Sequence, residues 1–134
     1  MIRTWFNDDG DDVSFQFFLS GEGASSFESL KTGNPCLFNM ETLSPSILHE
    51  INKTDLFAAL DRSSELKEKV NNIIFKRFYH YQKLFLSRIT NTPSQRYKEL
   101  VENNPEIINQ VPQHYIASYL GITSVSLSRI RNNK

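Results

Sequence analysis

Residues 111–131 read VPQHYIASYLGITSVSLSRIR, and this stretch gives the clearest indication of the fold. Ile116 and Leu120 are four positions apart, so they share one face of a helix that follows the proline. Gly121 allows a tight exit from that helix, and Thr123 is a suitable N-cap for a second one. The pattern therefore predicts two short helices joined by a glycine turn.

The side chains between these two helices favour a close approach. Ala117 is small, and Leu127 and Ile130 are spaced so that they face inward from the second helix. Such an arrangement is a helix-turn-helix, in which the second helix enters the major groove of DNA. An arbitrary helical hairpin is the alternative. The turn glycine, the small residue four positions before it and the cap two positions after it favour the DNA-binding motif.

The second helix, at about 123–132, is the expected recognition helix. Its first turn would point backbone amides and small hydroxyls at phosphates or base edges. Arg129 is expected to bind a base or phosphate, and Val125 to offer apolar contact, for instance to a thymine methyl. Gln113 and His114 are expected to cap the first helix and touch the DNA backbone. The expected DNA-contacting residues are Gln113, His114, Thr123, Ser124, Val125, Ser126, Ser128, Arg129, Arg131 and Lys134.

Charge is divided unevenly along the 134 residues, although 15 basic and 15 acidic residues give a net charge of zero. Residues 1–62 hold ten acidic and four basic residues, a balance of −6, whereas residues 63–134 hold five acidic and eleven basic residues, a balance of +6. No acidic residue follows Glu106. This asymmetry indicates an acidic module joined to a module that meets an anion.

The N-terminal third has the pattern of a small antiparallel β structure. Ile2–Phe6 and Val13–Leu19 favour strands, and an Asp-Gly pair within residues 7–11 supplies the positive φ of a hairpin turn. Phe18 interrupts the polar face of the second run, so that strand is expected to be buried on both sides. Further strands and one helical turn are predicted at Cys36–Met40, Ser46–Ile51 and Phe27–Lys31.

Helices are predicted from about Lys53 onward: a short one at Asp55–Leu60 and a long one from Ser63 to about Ile89. From Ile74 the apolar steps of four, three and four are typical of a coiled-coil seam. Some 26 residues would span ~39 Å, more than a small β module can cover, so a second copy is the expected partner. Ordinary packing within the chain is the alternative. The predicted dimer seam is Val70, Ile74, Phe78, Tyr81 and Phe85.

Two shorter helices are predicted between the long helix and residue 111. Thr92 at the N-cap, Pro93 after it and Gln95 three residues from the cap form a capping box at the start of Pro93–Glu102. Another turn of helix is expected at Glu106–Asn109.

Composition excludes several classes of site. A single cysteine, Cys36, excludes a disulfide framework and Cys-rich metal sites, and it is expected to be a small buried hydrophobe. The sequence has no nucleophile elbow, phosphate loop or dinucleotide fingerprint, so we expect neither an enzyme nor a cofactor. The three histidines lie on separate predicted elements, which argues against a metal site. No apolar run reaches ~18 residues, so we expect a cytoplasmic protein with no membrane partner.

Residues 111–123 and 127–131, with 93–104 before them, resemble the Crp/Fnr family of bacterial transcription regulators. Residues 15–18 and 25–29 resemble the sensor domain of that family's compact Bacteroidetes-type branch. The resemblance covers nearly the whole chain. It implies an α+β fold with a cyclic-nucleotide-binding-like β-roll, a long dimerisation helix and an all-α helix-turn-helix domain. It also implies a homodimer that binds palindromic double-stranded DNA and, in many members, touches RNA polymerase.

The sequence departs from that family in three respects. The family's sensor begins well upstream, so the β-roll is expected to be partial. In the effector pocket Glu28 matches the family's ribose-binding glutamate. The position of the family's phosphate-binding arginine falls near Cys36, where this chain has no arginine, so we expect no cyclic-AMP binding of the usual kind. The family's base-reading glutamate and the arginine beside it are replaced here by Val125 and Ser124. Only Arg129 remains of these base-contacting residues, so the family's usual operator cannot be assigned to this chain.

These observations predict a sensor at 1–62, a dimerisation helix at 63–91 and a DNA-binding domain at 92–134. The predicted function is that of a homodimeric, sequence-specific DNA-binding transcription regulator whose small-molecule effector is unknown. The alternative is a dimerising fragment that sequesters partner chains through the long helix without binding DNA.

Overall fold

The computed structural model describes residues 1–8 and 11–132, and its architecture is mixed α+β. A three-stranded antiparallel sheet is combined with seven helices within the described residues. In chain order the elements are β1 Ile2–Asp8, β2 Asp11–Phe18, α1 Phe27–Thr32, β3 Asn39–Thr42, α2 Lys53–Arg62, α3 Ser64–Thr90, α4 Pro93–Asn103, α5 Pro105–Gln110, α6 Gln113–Leu120 and α7 Ser124–Asn132.

The sheet has the strand order β2-β1-β3, and both pairs are antiparallel. Ile2 pairs with Phe18 on one side and Thr42 on the other, and the hairpin continues to the pair Asp8–Asp11. The hairpin is therefore confirmed, while Asp9 and Gly10 of its predicted turn lie outside the described residues. Phe17 and Phe18 are both buried, which confirms that β2 is covered on both faces.

Two strand predictions after α1 are wrong. The third strand is Asn39–Thr42 rather than Cys36–Met40, because pairing with β1 sets its limits. Residues 46–51 form no strand. Ile47 is 90% exposed, and Leu48 and Ile51 are also exposed, so this segment has no buried face to fix a strand register.

Helix limits follow the predicted capping residues closely. Ser63 caps α3 by accepting a hydrogen bond from the Leu66 N–H at 3.1 Å. At the start of α4, the Thr92 side chain accepts from the Gln95 N–H while the Gln95 side chain accepts from the Thr92 N–H at 2.8 Å, so the predicted capping box is confirmed. Helix α1 ends at Gly33 with φ 80°.

The chain divides into two compact units: residues 1–46 with 92–134, and residues 47–91. The first unit combines the sheet with α4–α7, and its buried apolar side chains come from both parts. Residues 1–46 of the predicted sensor lie in this unit together with 92–134, whereas residues 47–62 lie in the other unit. The buried apolar residues of the first unit are Phe17, Phe18, Leu100, Ile107, Val111, Ile116, Ala117, Tyr119, Leu120 and Leu127.

The second unit consists of α2, α3 and the segment before them. No residue between 47 and 91, all of which the structure describes, is buried. The 27-residue α3 would be about 40 Å long at 1.5 Å per residue. A bilayer-spanning helix is not found among the described residues, because no helix there combines sufficient length with sufficient apolar character.

Candidate nucleic-acid interface

The connection between α6 and α7 has the predicted glycine geometry. Gly121 lies in the left-handed region at φ 67° and ψ 39°, and its N–H donates to the carbonyls of Ala117 and Ser118. The Ile122 N–H also donates to the Ala117 carbonyl, at 3.0 Å. Residues with a Cβ rarely adopt this conformation, so the glycine is what allows the chain to reverse here.

Helix α7 begins with a capped turn and is held by one deeply buried side chain. The Thr123 hydroxyl accepts a hydrogen bond from the Ser126 N–H at 3.1 Å, which confirms Thr123 as the N-cap. Leu127 is 1% exposed, whereas Ile130 is only partly covered. Leu127 is therefore the main anchor that fixes which face of α7 points outward.

The outward face of α7 carries apolar, hydroxyl and cationic groups side by side. Val125 is 61% exposed, and Ser124, Ser128 and Arg129 are exposed as well. Among the described residues, none pairs with the side chains of Ser124, Ser128 or Arg129 in a hydrogen bond or an ion pair. These groups are therefore available to a ligand, and no acidic side chain follows Glu106 to repel an anion.

Two of the four predicted hydroxyl donors are engaged within the helix turn. The Thr123 and Ser126 side-chain oxygens are 3.0 Å apart and hydrogen-bonded to each other. Thr123 also accepts the Ser126 N–H, so its lone pairs are partly used. Ser124 and Ser128 are consequently the hydroxyl groups best placed to meet a ligand.

Gln113 and His114 are exposed in the first turn of α6, but they do not cap it. The N-cap is Pro112, and no side chain makes a cap hydrogen bond there. The prediction of capping is therefore wrong: the two residues occupy the first two helical positions, after the N-cap residue, and neither side chain bonds an amide of the first turn. The His114 ring lies 4.0 Å from that of Tyr115, centroid to centroid.

The remaining cations of the predicted interface are Arg131 and Lys134. Arg131 is exposed in the last turn of α7. Lys134 lies outside the described residues.

The sheet contacts α6 through polar groups that the sequence did not indicate. Ser118 Oγ accepts a hydrogen bond from the Ser14 N–H at 2.8 Å and donates to the Asp12 carbonyl at 2.9 Å. One face of α6 therefore meets the free edge of β2. Phe17 and Tyr119 extend this contact, with ring centroids 5.3 Å apart.

Arg3 is 1% exposed and forms the buried centre of a charged cluster beside this contact, whereas the carboxylates of Asp12 and Glu41 are 40% and 39% exposed. Its guanidinium donates to both carboxylate oxygens of Asp12, to Glu41 Oε1 from Nε at 2.9 Å, and to Ser14 Oγ at 2.9 Å. The guanidinium carbon lies 3.7 Å from the ring centroid of Tyr115 on α6. Arginine suits such a site because its planar fork binds carboxylates and stacks on aromatic rings.

Electrostatics keep this guanidinium charged. Burial acts to lower the pKa of Arg3, but hydrogen bonds and charge attraction from Asp12 and Glu41 outweigh it, so the pKa of Arg3 lies above its usual value. The two carboxylates come from β2 and β3, so the one cation ties all three strands together. An arginine inside a β-favouring run is the only signal of this cluster that the sequence contains.

The predicted effector-pocket residues do not form an enclosed site. Glu28 is exposed in the first turn of α1, and Cys36 is exposed in the segment before β3. The expectation that Cys36 is buried is therefore wrong. Its neighbour Leu37 is exposed too, at 79%. Within the described residues, no group of three His, Cys, Asp or Glu side chains could hold a metal ion.

The predicted dimer seam on α3 is partly covered and partly open. Val70 and Ile74 are half-buried within the chain, whereas Phe78, Tyr81 and Phe85 are exposed, Phe85 at 67%. The open apolar surface is also wider than the seam. It includes Ile73, Phe75, Tyr79, Leu86 and Ile89.

Comparison with models of known protein families gives no match, and a search of curated proteins gives none either.

Proposed function

We propose that this protein is a sequence-specific, double-stranded DNA-binding transcription regulator of the Crp/Fnr type that acts as a homodimer. One observation carries the proposal: a capped, glycine-turned helix presents Val125, Ser128 and Arg129 outward from an acid-free end of the chain. Helices of this kind place apolar, hydroxyl and guanidinium groups against base edges and phosphates in the major groove.

The proposal assigns each exposed group a chemical role. Arg129 binds a guanine edge or a phosphate, Val125 contacts a thymine methyl, and Ser124 and Ser128 donate to phosphate oxygens. Gln113 meets the backbone from the first turn of α6. With so few cations per chain, electrostatic attraction is modest, so two copies on one palindromic site are needed for useful affinity.

The sensor half is proposed to be a partial β-roll of the cyclic-nucleotide-binding type without usual cyclic-AMP binding. Support comes from the antiparallel sheet and from the open position of Glu28 and Cys36. Contact with RNA polymerase follows the family resemblance and belongs to the same proposal.

Selection of bound duplexes from a random-sequence pool, followed by a gel shift, tests DNA binding. We expect enrichment of a palindrome and at least about tenfold weaker binding by Arg129→Ala, with relaxed preference at one base pair of each half-site. Arg62→Ala removes the same charge from the exposed end of α2 and should leave affinity unchanged. Absence of binding to any duplex at low salt by the folded protein would refute the proposal.

Dimerisation through α3 is the second part of the proposal. A 27-residue helix with no buried side chain and with Phe78, Phe85 and Ile89 exposed needs a partner surface to remove them from water. The exposed apolar residues follow three- and four-residue steps, so they form one stripe along α3. A second copy of the chain supplies an identical stripe for it to pack against.

Analytical ultracentrifugation tests this part. Phe85→Asp places a charge in the stripe and should convert dimer to monomer. Lys76→Asp places a carboxylate at an exposed position half a turn around the helix from Phe85 and should leave the dimer intact. A monomeric unaltered protein at micromolar concentration would contradict dimerisation.

The open stripe on α3 also favours the second candidate function, sequestration of partner chains without DNA binding. The two functions differ in one measurement. A dimer that binds no duplex, yet still takes up a second chain through the α3 stripe, would favour sequestration.

A further inference from the structure

We propose that the sheet is a positioning platform for α6 and that Arg3 and Ser118 are its positioning residues. They set how Gln113 and His114 are presented to a phosphate backbone. This inference rests on the DNA-binding function proposed above and adds a residue-level role for the N-terminal strands.

The contact of Ser118 with β2 fixes α6 in one register. Its hydroxyl bridges the Ser14 N–H and the Asp12 carbonyl, two backbone groups of an edge strand that a neighbouring strand would otherwise satisfy. Movement of α6 by one residue along the strand would break both hydrogen bonds. The bridge therefore defines position rather than only adding contact.

Arg3 connects the strands to the first turn of α6. Its guanidinium is held by Asp12 and Glu41, and it stacks on Tyr115 at 3.7 Å. The Tyr115 ring in turn lies 4.0 Å from that of His114. The stack therefore runs from a fully buried cation to an exposed side chain of the candidate interface.

The two sides of α6 have different tasks. Tyr115, Ser118 and Tyr119 follow three- and four-residue spacing and contact the sheet. Ile116, Ala117 and Leu120 lie on the opposite side by helical spacing, and all three are buried. Because this apolar side belongs to the helical core, loss of the polar side should loosen the orientation of α6 without dissolving that core.

Amide hydrogen exchange and DNA affinity, measured together on Ser118→Ala, test the inference. We expect exchange to be about tenfold faster at residues 115–118, whose amides are hydrogen-bonded in α6, and at Ser14, as for loss of one or two hydrogen bonds. Exchange in α4 should be unchanged. In the same variant, DNA affinity should fall about three- to tenfold with the preferred base sequence unchanged, because α7 keeps its anchor.

Three further variants separate positioning from stability. Ser118→Thr keeps the hydroxyl, so its exchange rates and DNA affinity should match those of the unaltered protein. Ser94→Ala removes an exposed hydroxyl from α4 and should alter neither. Arg3→Lys, which keeps the charge but not the planar fork, should give the same pattern as Ser118→Ala.

Several results would overturn the inference. One is unchanged exchange at residues 115–118 in Ser118→Ala. Another is unchanged affinity in a protein that binds DNA, and a third is uniformly faster exchange from α4 to α7. If the unaltered protein binds no duplex, the DNA-binding proposal fails and the phosphate-contact role fails with it. Faster exchange confined to α6 would then still support the sheet as its platform.

Discussion

Leu127 and Val125 lie two residues apart on α7, and their opposite exposures make a strong paired test of how the helix is docked. Leu127 is 1% exposed and Val125 is 61% exposed. Substitution Leu127→Ala removes three buried carbon atoms from the only fully buried position described on this nine-residue helix. We expect it to lower the free energy of unfolding by about 3 kcal/mol, within the range for buried leucines whose cavity does not fully collapse.

Val125→Ala is the matched change at an exposed apolar position. We expect it to alter the free energy of unfolding by less than about 0.5 kcal/mol, because the side chain is already in water. Under the proposed function it should still weaken binding at sites with a thymine in contact.

Urea unfolding followed by circular dichroism measures both variants, with the slope of free energy against urea used to check that the unfolding reaction is unchanged. A loss below about 1 kcal/mol for Leu127→Ala would refute the assignment of Leu127 as the anchor. Equal losses for both variants would show that α7 is oriented differently.

Two further pairs of substitutions test local features of the chain. Gly121→Ala should lower the free energy of unfolding by about 1–2 kcal/mol, because alanine is strained at φ 67°. Gly23→Ala, which has open space around the added carbon, should be nearly neutral. Equal effects of the two substitutions would contradict the turn geometry. Thr92→Ala should cost about 1 kcal/mol through loss of the capping box, Thr92→Ser should recover most of it, and thermal unfolding measures both.

The sequence allowed helices to be placed well because their ends are local. Ser63, Thr92 and Gly121 were each recognised from residues within four positions, and the cap or turn geometry depends on those same neighbours. The outward face of α7 was predicted for the same reason, since one buried leucine and helical spacing fix it.

Predictions failed where a residue depends on distant partners. The segment 46–51 has strand-like composition, but no buried surface receives its side chains. Cysteine is a residue type that is often buried, yet Cys36 precedes β3 and lies outside the sheet. The β-propensity of a residue describes how well its side chain fits a half-buried sheet surface. It does not show whether the folded protein provides such a surface at that position.

The sequence by itself determined the N-terminal hairpin, the capped helices, the glycine turn and the acid-free end that the DNA-binding proposal requires. Tertiary structure alone decided that Arg3 is buried under Tyr115, and that Ser118 closes the edge of β2. The physical reason is separation along the chain: Arg3 meets Glu41 across 38 positions, and Ser118 meets Asp12 across 106. Contacts at that distance arise only when the sheet and α6 pack together, and no local pattern encodes them.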